Sequence, residues 1–389
     1  MTAPFIPFAL PSIGQEEVDA VSECLLSGWL TSGPKMRQFE EEFASAVDAK
    51  FALAVNSATA GLHLSVDCIG LRAGDKVLTT PFTFTATAEV VRYMGADPKF
   101  VDIDRDTLNL DPNRLQDSVN DDSNVKAIMP VHYAGQACDM NSITDIARSI
   151  DARVIEDAAH SFPATYAGKK IGSIGDLTVF SFYATKTIAT GEGGMVTTDN
   201  EQYAERIRCM RLHGISKDVF NRYQSTKPSW YYEIIAPGFK YNMPDTAAAI
   251  GIEQLKKAEA FRSRREAIAQ RYFAEFGGLP CRLPAQARPD DVHAWHLFVL
   301  QLELESLSID RDRFIELMAE QGIGTSVHFI PLHLQPYWRD RYDLRPDDFP
   351  VANDVFKRVV SLPIYPSMTD EAVERVVAAT RGILLKAQK

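Results

Sequence analysis

Short apolar segments alternate with amphipathic ones from residue 50 to about residue 200. Runs such as "FALAV", "DKVLTT" and "VKAIMPVHY" have the length of strands, and each is followed by a helix-like stretch such as "ATAGLHLSVDCIG" or "DMNSITDIARSI". Strand and helix in strict succession predict βαβ units and a mostly parallel sheet with helices on both faces. In such sheets a ligand lies at the carboxyl ends of the strands, so functional residues are expected there.

A turn-rich region interrupts this alternation between residues 213 and 245 and is typical of a long ordered loop with a function. Beyond it the pattern predicts a long helix from Pro244 to about Phe276, which ends at Gly277 and Gly278. The segments "HAWHLFVLQLEL", "DRDRFIELMAEQGIGTSVHF" and "MTDEAVERVVAATRGILL" then predict a strand, a helix, a strand and a terminal helix. We therefore expect a large α/β domain over residues 1–250 and a smaller α+β domain over residues 251–389.

Composition narrows the class of protein. The formal net charge of −11 argues against non-specific binding to nucleic acid or to an anionic membrane surface, since both need a cationic face. The five cysteines are odd in number and form no CxxC pair, which favours neither a disulfide framework nor a zinc site. Without a basic leader or a long apolar run, the sequence predicts a soluble, cytoplasmic protein.

One lysine, Lys186, lies between an apolar and aromatic run and a glycine cluster in "SFYATKTIATGEGGMVTTDN". A lysine amine becomes a nucleophile when desolvation or nearby cations remove its proton, and it can then form a Schiff base with a carbonyl. Pyridoxal phosphate (PLP) is the best-known carbonyl partner. It also needs an acid facing its ring nitrogen, a phosphate cradle and a flat residue against its ring.

Residues at successive strand ends can meet these needs. Asp157 in "VIEDAAH" is the candidate acid, and Phe84 in "PFTFTATA" is the candidate flat residue. In "NSATAG" the Ala58 and Thr59 amides begin a helix and suit a phosphate, to which Ser181 can add a hydroxyl. Each signal alone also fits a structural role, because such residues commonly cap helices or fill cores. Their order along one sheet is what favours a cofactor site.

Two other motifs contain residue types that occur in metal sites or in nucleotide-binding loops. The histidines of "HAWH" and "HFIPLH" do not match the spacing of HExxH or of a zinc finger, and no carboxylate or cysteine completes a set, so no metal is predicted. "GEGG" lacks both GxGxxG and the GK[ST] ending of nucleotide loops, and its glycines are interpreted as a sharp backbone turn behind Lys186.

Taken together, these motifs resemble the DegT/DnrJ/EryC1/StrS family of sugar aminotransferases, which have a fold type I PLP domain. The resemblance covers nearly the whole chain, and its motifs are "GWLTSGPKMRQFEEEFA", "NSATAGLHLSV", "PFTFTATAEVV", "VHYAGQACDM", "VIEDAAHSFPATYAGKKIG", "VFSFYATKTIATGEGGMVTTDN", "GFKYNMPDTAAAIGIEQL" and "LPIYPSMTD". It implies PLP as cofactor and a homodimer with shared active sites. The implied roles are Lys186 as the Schiff-base lysine, Asp157 as the partner of the ring nitrogen, Phe84 as the stacking residue, Ala58, Thr59 and Ser181 on the phosphate, His160 beside the ring, and Asn242 on the phosphate of the neighbouring subunit.

The nearest branch of the family aminates C4 of a nucleotide-linked 4-keto sugar and includes enzymes that form UDP-4-amino-4-deoxy-arabinose; "GIGTSVHFIPLH" and "SLPIYPSMTD" are similar to that branch. His328 is then a candidate substrate contact, and glutamate is the expected amino donor. Relatives that remove the C3 hydroxyl carry histidine in place of the lysine, so Lys186 favours transamination. Basic and aromatic residues of the long loop could meet the nucleotide or line a dimer edge: Lys217, Arg222, Lys227, Trp230, Tyr231 and Tyr232.

Two alternatives stay open at this point. A 3-keto sugar or keto-inositol aminotransferase would share all the cofactor residues, and only its substrates would distinguish it. A PLP-binding regulator without turnover is disfavoured, because neither end carries a pattern resembling a helix-turn-helix and the chain is acidic.

Overall fold

The computed structural model describes residues 4–120, 124–216 and 232–389. The strands of the large domain are β1 (Phe51–Val55), β2 (Lys76–Thr79), β3 (Asp97–Phe100), β4 (Val125–Met129), β5 (Arg153–Asp157), the hairpin β6 (Thr165–Tyr166) and β7 (Lys169–Lys170), β8 (Leu177–Ser181) and β9 (Gly194–Thr198). The main sheet has the strand order β1–β9–β8–β5–β4–β2–β3.

This sheet is mixed and mostly parallel. Strand β9 runs antiparallel to both of its neighbours, β1 and β8. The pairings β8–β5, β5–β4, β4–β2 and β2–β3 are all parallel. The carboxyl ends of β5 and β8 therefore meet at one edge, as the alternating pattern predicts.

Helices cover both faces of the sheet, so the predicted α/β class is confirmed. The helices up to residue 210 are α1 (Gln15–Ser27), α2 (Pro34–Ala46), α3 (Ala58–Cys68), α4 (Ala86–Tyr93), α5 (Pro112–Asn120), α6 (Met140–Ser149) and α7 (Glu201–Met210). Buried residues of α2 and α6 pack with one core, whereas those of α3, α4 and α7 pack with another. Helix α3 lies close to the sheet at Gly61, where a Cβ would come within 2.8 Å of the Val179 side chain.

The long helix predicted after the turn-rich region is α8 (Asp245–Phe276). It begins one residue later than predicted, since Pro244 is extended and precedes the first turn. The remaining elements are β10 (Cys281–Arg282), β11 (Phe298–Leu302), α9 (Arg311–Glu320), α10 (Pro336–Tyr342), α11 (Pro350–Phe356), β12 (Val359–Leu362) and α12 (Asp370–Ala387).

The C-terminal sheet, ordered β10–β11–β12, is antiparallel and differs from the prediction in two places. Strand β11 excludes the "HAWH" segment, because Trp295 has a left-handed backbone with φ of +47°. The prediction of a strand over residues 322–329 is wrong. This segment pairs with β12 through an isolated bridge at Ser326, whereas β11 pairs with β12 over four residues.

Two further features concern the domain plan. Helix α8 runs without a break across the predicted boundary at residue 250, and its last turns pack into the C-terminal core. Ile6, near the start of the chain, also packs into that core. The division into residues 1–250 and 251–389 stays a prediction. No helix in the described ranges is both long and apolar enough to span a membrane.

Candidate active site

A cavity of about 350 Å³ lies at the carboxyl ends of β5 and β8. Most of the candidate residues line it, although they come from distant parts of the chain. These residues are Ala58, Thr59, Phe84, Asp157, His160, Ser181, Lys186 and His328. The fold thus brings the candidate nucleophile, acid, phosphate cradle and substrate contact to one place.

Lys186 lies in the turn after β8, where its backbone N–H donates to the carbonyl of Tyr183 at 2.9 Å. Burial lowers the pKa of its amine to about 8, and the negative charge of Asp157 acts in the opposite direction. An amine with this pKa loses its proton far more readily than a solvated lysine does. The structure therefore gives Lys186 the property that a nucleophile and proton carrier needs.

Asp157 is the last residue of β5 and is 6% exposed. Its Oδ2 accepts a hydrogen bond from Thr87 Oγ1 at 2.7 Å, and its Oδ1 accepts one from the Ala159 N–H at 3.1 Å. Burial nevertheless raises the pKa of this carboxyl group. A cationic ring nitrogen facing it would favour the charged form, as any adjacent positive charge does.

Thr87 is a functional candidate that the sequence did not single out. It lies in the first turn of α4, and its hydroxyl also hydrogen-bonds Thr83 at 2.8 Å. Threonine at a helix start ordinarily indicates capping, and the pattern alone gives no sign that this hydroxyl points at β5.

A second buried pair supports the strand that carries Asp157. The imidazole Nε2 of His132 lies 2.8 Å from Glu156 Oε2, and both side chains are fully buried. The His132 Nδ1 accepts the Cys138 N–H, so Nε2 carries the proton and donates to Glu156. The backbone N–H of His132 donates to the Asp157 carbonyl at 3.1 Å. His132 thus fixes the end of β5 from outside the cavity.

The start of α3 has the geometry of an anion site. The Ser57 hydroxyl accepts the Ala60 N–H at 3.1 Å and caps the helix. The amides of Ala58 and Thr59, at the first two helical positions, have no acceptor inside the helix and can serve a phosphate. Ser181, at the end of β8, lines the same cavity.

Gly194 lets this site form. A Cβ there would lie 2.8 Å from the Ala58 nitrogen and 2.9 Å from the Phe180 carbonyl oxygen. The predicted sharp turn is found at Gly191, whose φ is +85°. Gly194 instead has a packing role, because only a residue without a side chain lets β9 approach the helix start so closely.

Phe84 lies at the cavity rim and is 60% exposed, so it is not a core residue. Its ring centroid is 6.2 Å from that of Phe329, which also lines the cavity. An exposed aromatic face at this position can pack against a planar ligand.

Histidines form the side of the cavity that the C-terminal segments supply. His328 Nδ1 lies 2.9 Å from Ser361 Oγ, and burial lowers the pKa of His328 to about 4. His296 also lines the cavity, next to His160, although its motif indicated only a weak metal hypothesis. Among the described residues no group of three or more His, Cys, Asp or Glu is placed to hold a metal ion.

The other predicted residues lie elsewhere. Asn242 lines a second cavity of about 860 Å³, together with Ser32, whose hydroxyl accepts from Asn242 Nδ2 at 2.6 Å. Tyr232 is exposed. The predictions for Lys217, Arg222, Lys227, Trp230 and Tyr231 lie outside the described residues.

The residues present fit PLP. The free helix amides and Ser181 suit its phosphate, Asp157 suits its ring nitrogen, and the Lys186 amine suits its carbonyl. All of these groups line one cavity, as a cofactor that contacts each of them requires, and Gly194 allows β9 to approach the start of α3 closely.

Comparisons with known proteins agree with this geometry. The model of the DegT/DnrJ/EryC1/StrS aminotransferase family matches residues 11–381. The chain is 52% identical to the uncharacterised protein MJ1066 of Methanocaldococcus jannaschii, over 98% of each chain. It is 49% identical to the spore coat polysaccharide biosynthesis protein SpsC of Bacillus subtilis, over 98% of this chain and 97% of SpsC.

Solved structures show the same fold. The sugar aminotransferase Spr1654 of Streptococcus pneumoniae, described as putative, superposes in its PMP form with a TM-score of 0.92 at 30% identity, over 98% of this chain and 99% of the other. Its PLP form superposes with a TM-score of 0.91 at 28% identity, over 99% and 100% of the two chains.

Proposed function

The chain belongs to the DegT/DnrJ/EryC1/StrS family of PLP-dependent sugar aminotransferases, and we propose that it transfers an amino group from glutamate to the keto group at C4 of a nucleotide-linked sugar. That the chain is a PLP-dependent transaminase of sugar or polysaccharide biosynthesis follows from the family. The nucleotide, the C4 position and the glutamate donor are the proposal. A homodimer in the cytoplasm is the assembly and location expected for it.

The observation that carries the proposal is the single cavity that holds both Lys186 and Asp157 beside the free amides of α3. Bound PLP supplies a reactive carbonyl and a ring that accepts electrons from the reacting carbon. We assign Ala58, Thr59 and Ser181 to the phosphate, Asp157 to the ring nitrogen, and Phe84 and His160 to the surroundings of the ring. The Lys186 amine, whose pKa is about 8, takes up and returns the substrate proton at near-neutral pH.

The sugar part of the proposal rests on three supports. The relative SpsC is named for spore coat polysaccharide biosynthesis. A lysine at position 186 fits amination better than loss of a hydroxyl. His328 borders the same cavity as Lys186, so a sugar bound beside the lysine can contact its ring. We assign the nucleotide to Arg222, Lys227 and Tyr231, and Asn242 to the phosphate of the partner subunit.

The test is an absorbance experiment on the purified protein with PLP. Wild type should show the visible band of a lysine-bound cofactor, which glutamate removes and one 4-keto nucleotide sugar restores. Lys186→Ala should bind the cofactor without that band and should not turn over. Restoration by a 3-keto sugar alone would move the proposal to C3 amination, and a band that no amino acid removes would contradict the transfer itself.

A further inference from the structure

The "HAWH" segment is a tight turn that presents His296 to the cavity. The His293 imidazole accepts the Trp295 N–H at 2.8 Å, and the two rings stack with centroids 3.8 Å apart. The loop after β4 packs on the same turn: Ala294 N–H donates to the Gly135 carbonyl at 3.0 Å. Gly135 has a φ of +102°, and a Cβ there would lie 3.0 Å from the His296 backbone nitrogen, so this position favours glycine.

His296 and His160 form a buried pair whose Nδ1 atoms lack hydrogen-bond partners among the described residues. Their ring centroids are 4.3 Å apart, and they are 6% and 7% exposed. The Nδ1 atom of each ring is buried and lacks a partner. Two unsatisfied nitrogens in adjacent rings that line a cavity are unusual, because buried polar groups are nearly always paired. Because both rings line the cavity, a ligand oxygen that enters it can accept a hydrogen bond from an imidazole N–H.

Arg265 of α8 holds this pair from behind. It is 1% exposed, and its Nη1 donates to the carbonyls of Ile364 at 2.6 Å and of Trp295 and His296 at 3.3 Å. Among the described residues no carboxylate lies within ion-pairing distance of its guanidinium. Burial lowers the pKa of Arg265 to about 10, so the group is still charged at neutral pH. Its positive charge therefore acts on the His296 side of the cavity without compensation from a described carboxylate.

We propose that His296, together with His160, binds the carboxylate of the amino donor, and that Arg265 is a positioning residue that fixes His296 and supplies positive potential behind it. Every α-amino acid donor carries a carboxylate next to the reacting carbon, and that group must leave water as its amine reaches Lys186. A desolvated carboxylate needs N–H donors and positive potential. The described residues that line the cavity include no arginine, so the histidine pair backed by Arg265 meets this need. This inference rests on the transaminase function but not on glutamate as the donor.

The test compares His296→Gln with wild type in the donor half-reaction alone. Rapid mixing of the PLP form with increasing glutamate separates the apparent Kd from the limiting rate constant. Loss of a hydrogen bond to a charged group should raise the apparent Kd for glutamate about ten- to a hundredfold. L-isoglutamine, whose α-carboxylate is an amide, should bind more weakly to wild type and lose little more in the variant.

His333→Gln is the matched control. His333 is fully buried with both ring nitrogens unpartnered, but it packs against Phe349 outside the cavity. It should leave the Kd for glutamate unchanged. Arg265→Gln should weaken glutamate binding in the same direction as His296→Gln, whereas Arg265→Lys, which keeps the charge, should recover part of the loss. Thermal unfolding of each variant shows whether the fold is retained.

The keto-sugar half-reaction, run on the PMP form, decides the assignment. It should lose less than about threefold affinity in His296→Gln, since a sugar has no carboxylate at the reacting carbon. Equal losses in both half-reactions, a loss with the sugar only, or an equal loss for glutamate and isoglutamine would overturn the proposal. If wild type reacts with no amino acid, the proposed function and this inference fail together. If wild type reacts with glutamate and His296→Gln binds glutamate equally well, the inference alone fails.

Discussion

The cavity has two sides that differ in how their buried polar groups are satisfied. On the side of β5, the Asp157 carboxylate accepts hydrogen bonds from Thr87 and Ala159 before any ligand binds. On the C-terminal side, the Nδ1 atom of His296 has no partner among the described residues, and neither has that of His160, which follows β5 but packs against His296. A satisfied group is held in one position and suits a resident cofactor, whereas an unsatisfied pair suits a ligand that enters and leaves in each cycle.

Asp157→Asn is the variant expected to have the largest effect, and it tests whether the two sides of the cavity differ in function. The amide keeps the shape of the carboxylate but removes the charge that we assign to the ring nitrogen. We expect the limiting rate constants of both half-reactions to fall on the order of 10²–10³-fold, as for other groups that stabilise charge in the transition state. Single-turnover absorbance measurements report both. If only the donor half-reaction slows, Asp157 behaves like the histidine side and the two sides are not distinct.

Gly194→Ala tests the phosphate end of the satisfied side. The added Cβ would lie 2.8 Å from the Ala58 nitrogen, so β9 or the start of α3 must move. Loss of one charge-assisted hydrogen bond should raise the Kd for PLP about ten- to a hundredfold. Fluorescence titration of the apo-protein measures this. Gly382→Ala, in α12 with no atom within 4 Å of a built Cβ and no left-handed backbone, controls for effects of glycine replacement elsewhere.

The pH dependence of cofactor capture reports on Lys186 itself. Because its pKa is lowered to about 8, the neutral amine predominates above that pH and the protonated amine below it. Capture of PLP by the apo-protein should therefore reach a plateau above about pH 9 and be about tenfold slower at pH 7 than on the plateau. Stopped-flow appearance of the visible band gives the profile. A rate that keeps rising through pH 10 would indicate a lysine with an ordinary pKa.

The smallest effect is expected for Thr87→Val. The variant removes the hydroxyl that donates to Asp157 Oδ2 but leaves the Ala159 N–H in place. Both half-reactions should slow about three- to tenfold, the value of one ordinary hydrogen bond. The pKa of Asp157 should rise further, because this bond favours the charged form. An unchanged rate would show that Thr87 positions α4 without acting on the carboxylate.

Much of the β5 side of the cavity could be predicted from the sequence. Strand ends such as "RVIED" place Asp157 at the sheet edge because parallel strands have a fixed direction, and the cap residue Ser57 marks the start of α3. The position of His296 on the C-terminal side of the cavity could not be predicted from the sequence. The apolar run "HLFVLQLEL" predicted a strand through His296, but the left-handed backbone at Trp295 ends the pairing before it.

The sequence by itself determined the alternation of strands and helices in the large domain, the sheet edge where the candidate site lies, and the identities of Lys186 and Asp157 as its candidates, because these follow from local periodicity and strand direction. Only the tertiary structure decided that Thr87 reaches Asp157 and that Arg265 lies behind His296. The carbonyls that hold Arg265 are 31 and 99 residues away along the chain at His296 and Ile364. Contacts at such separations depend on packing between whole elements, which no local pattern of residues records.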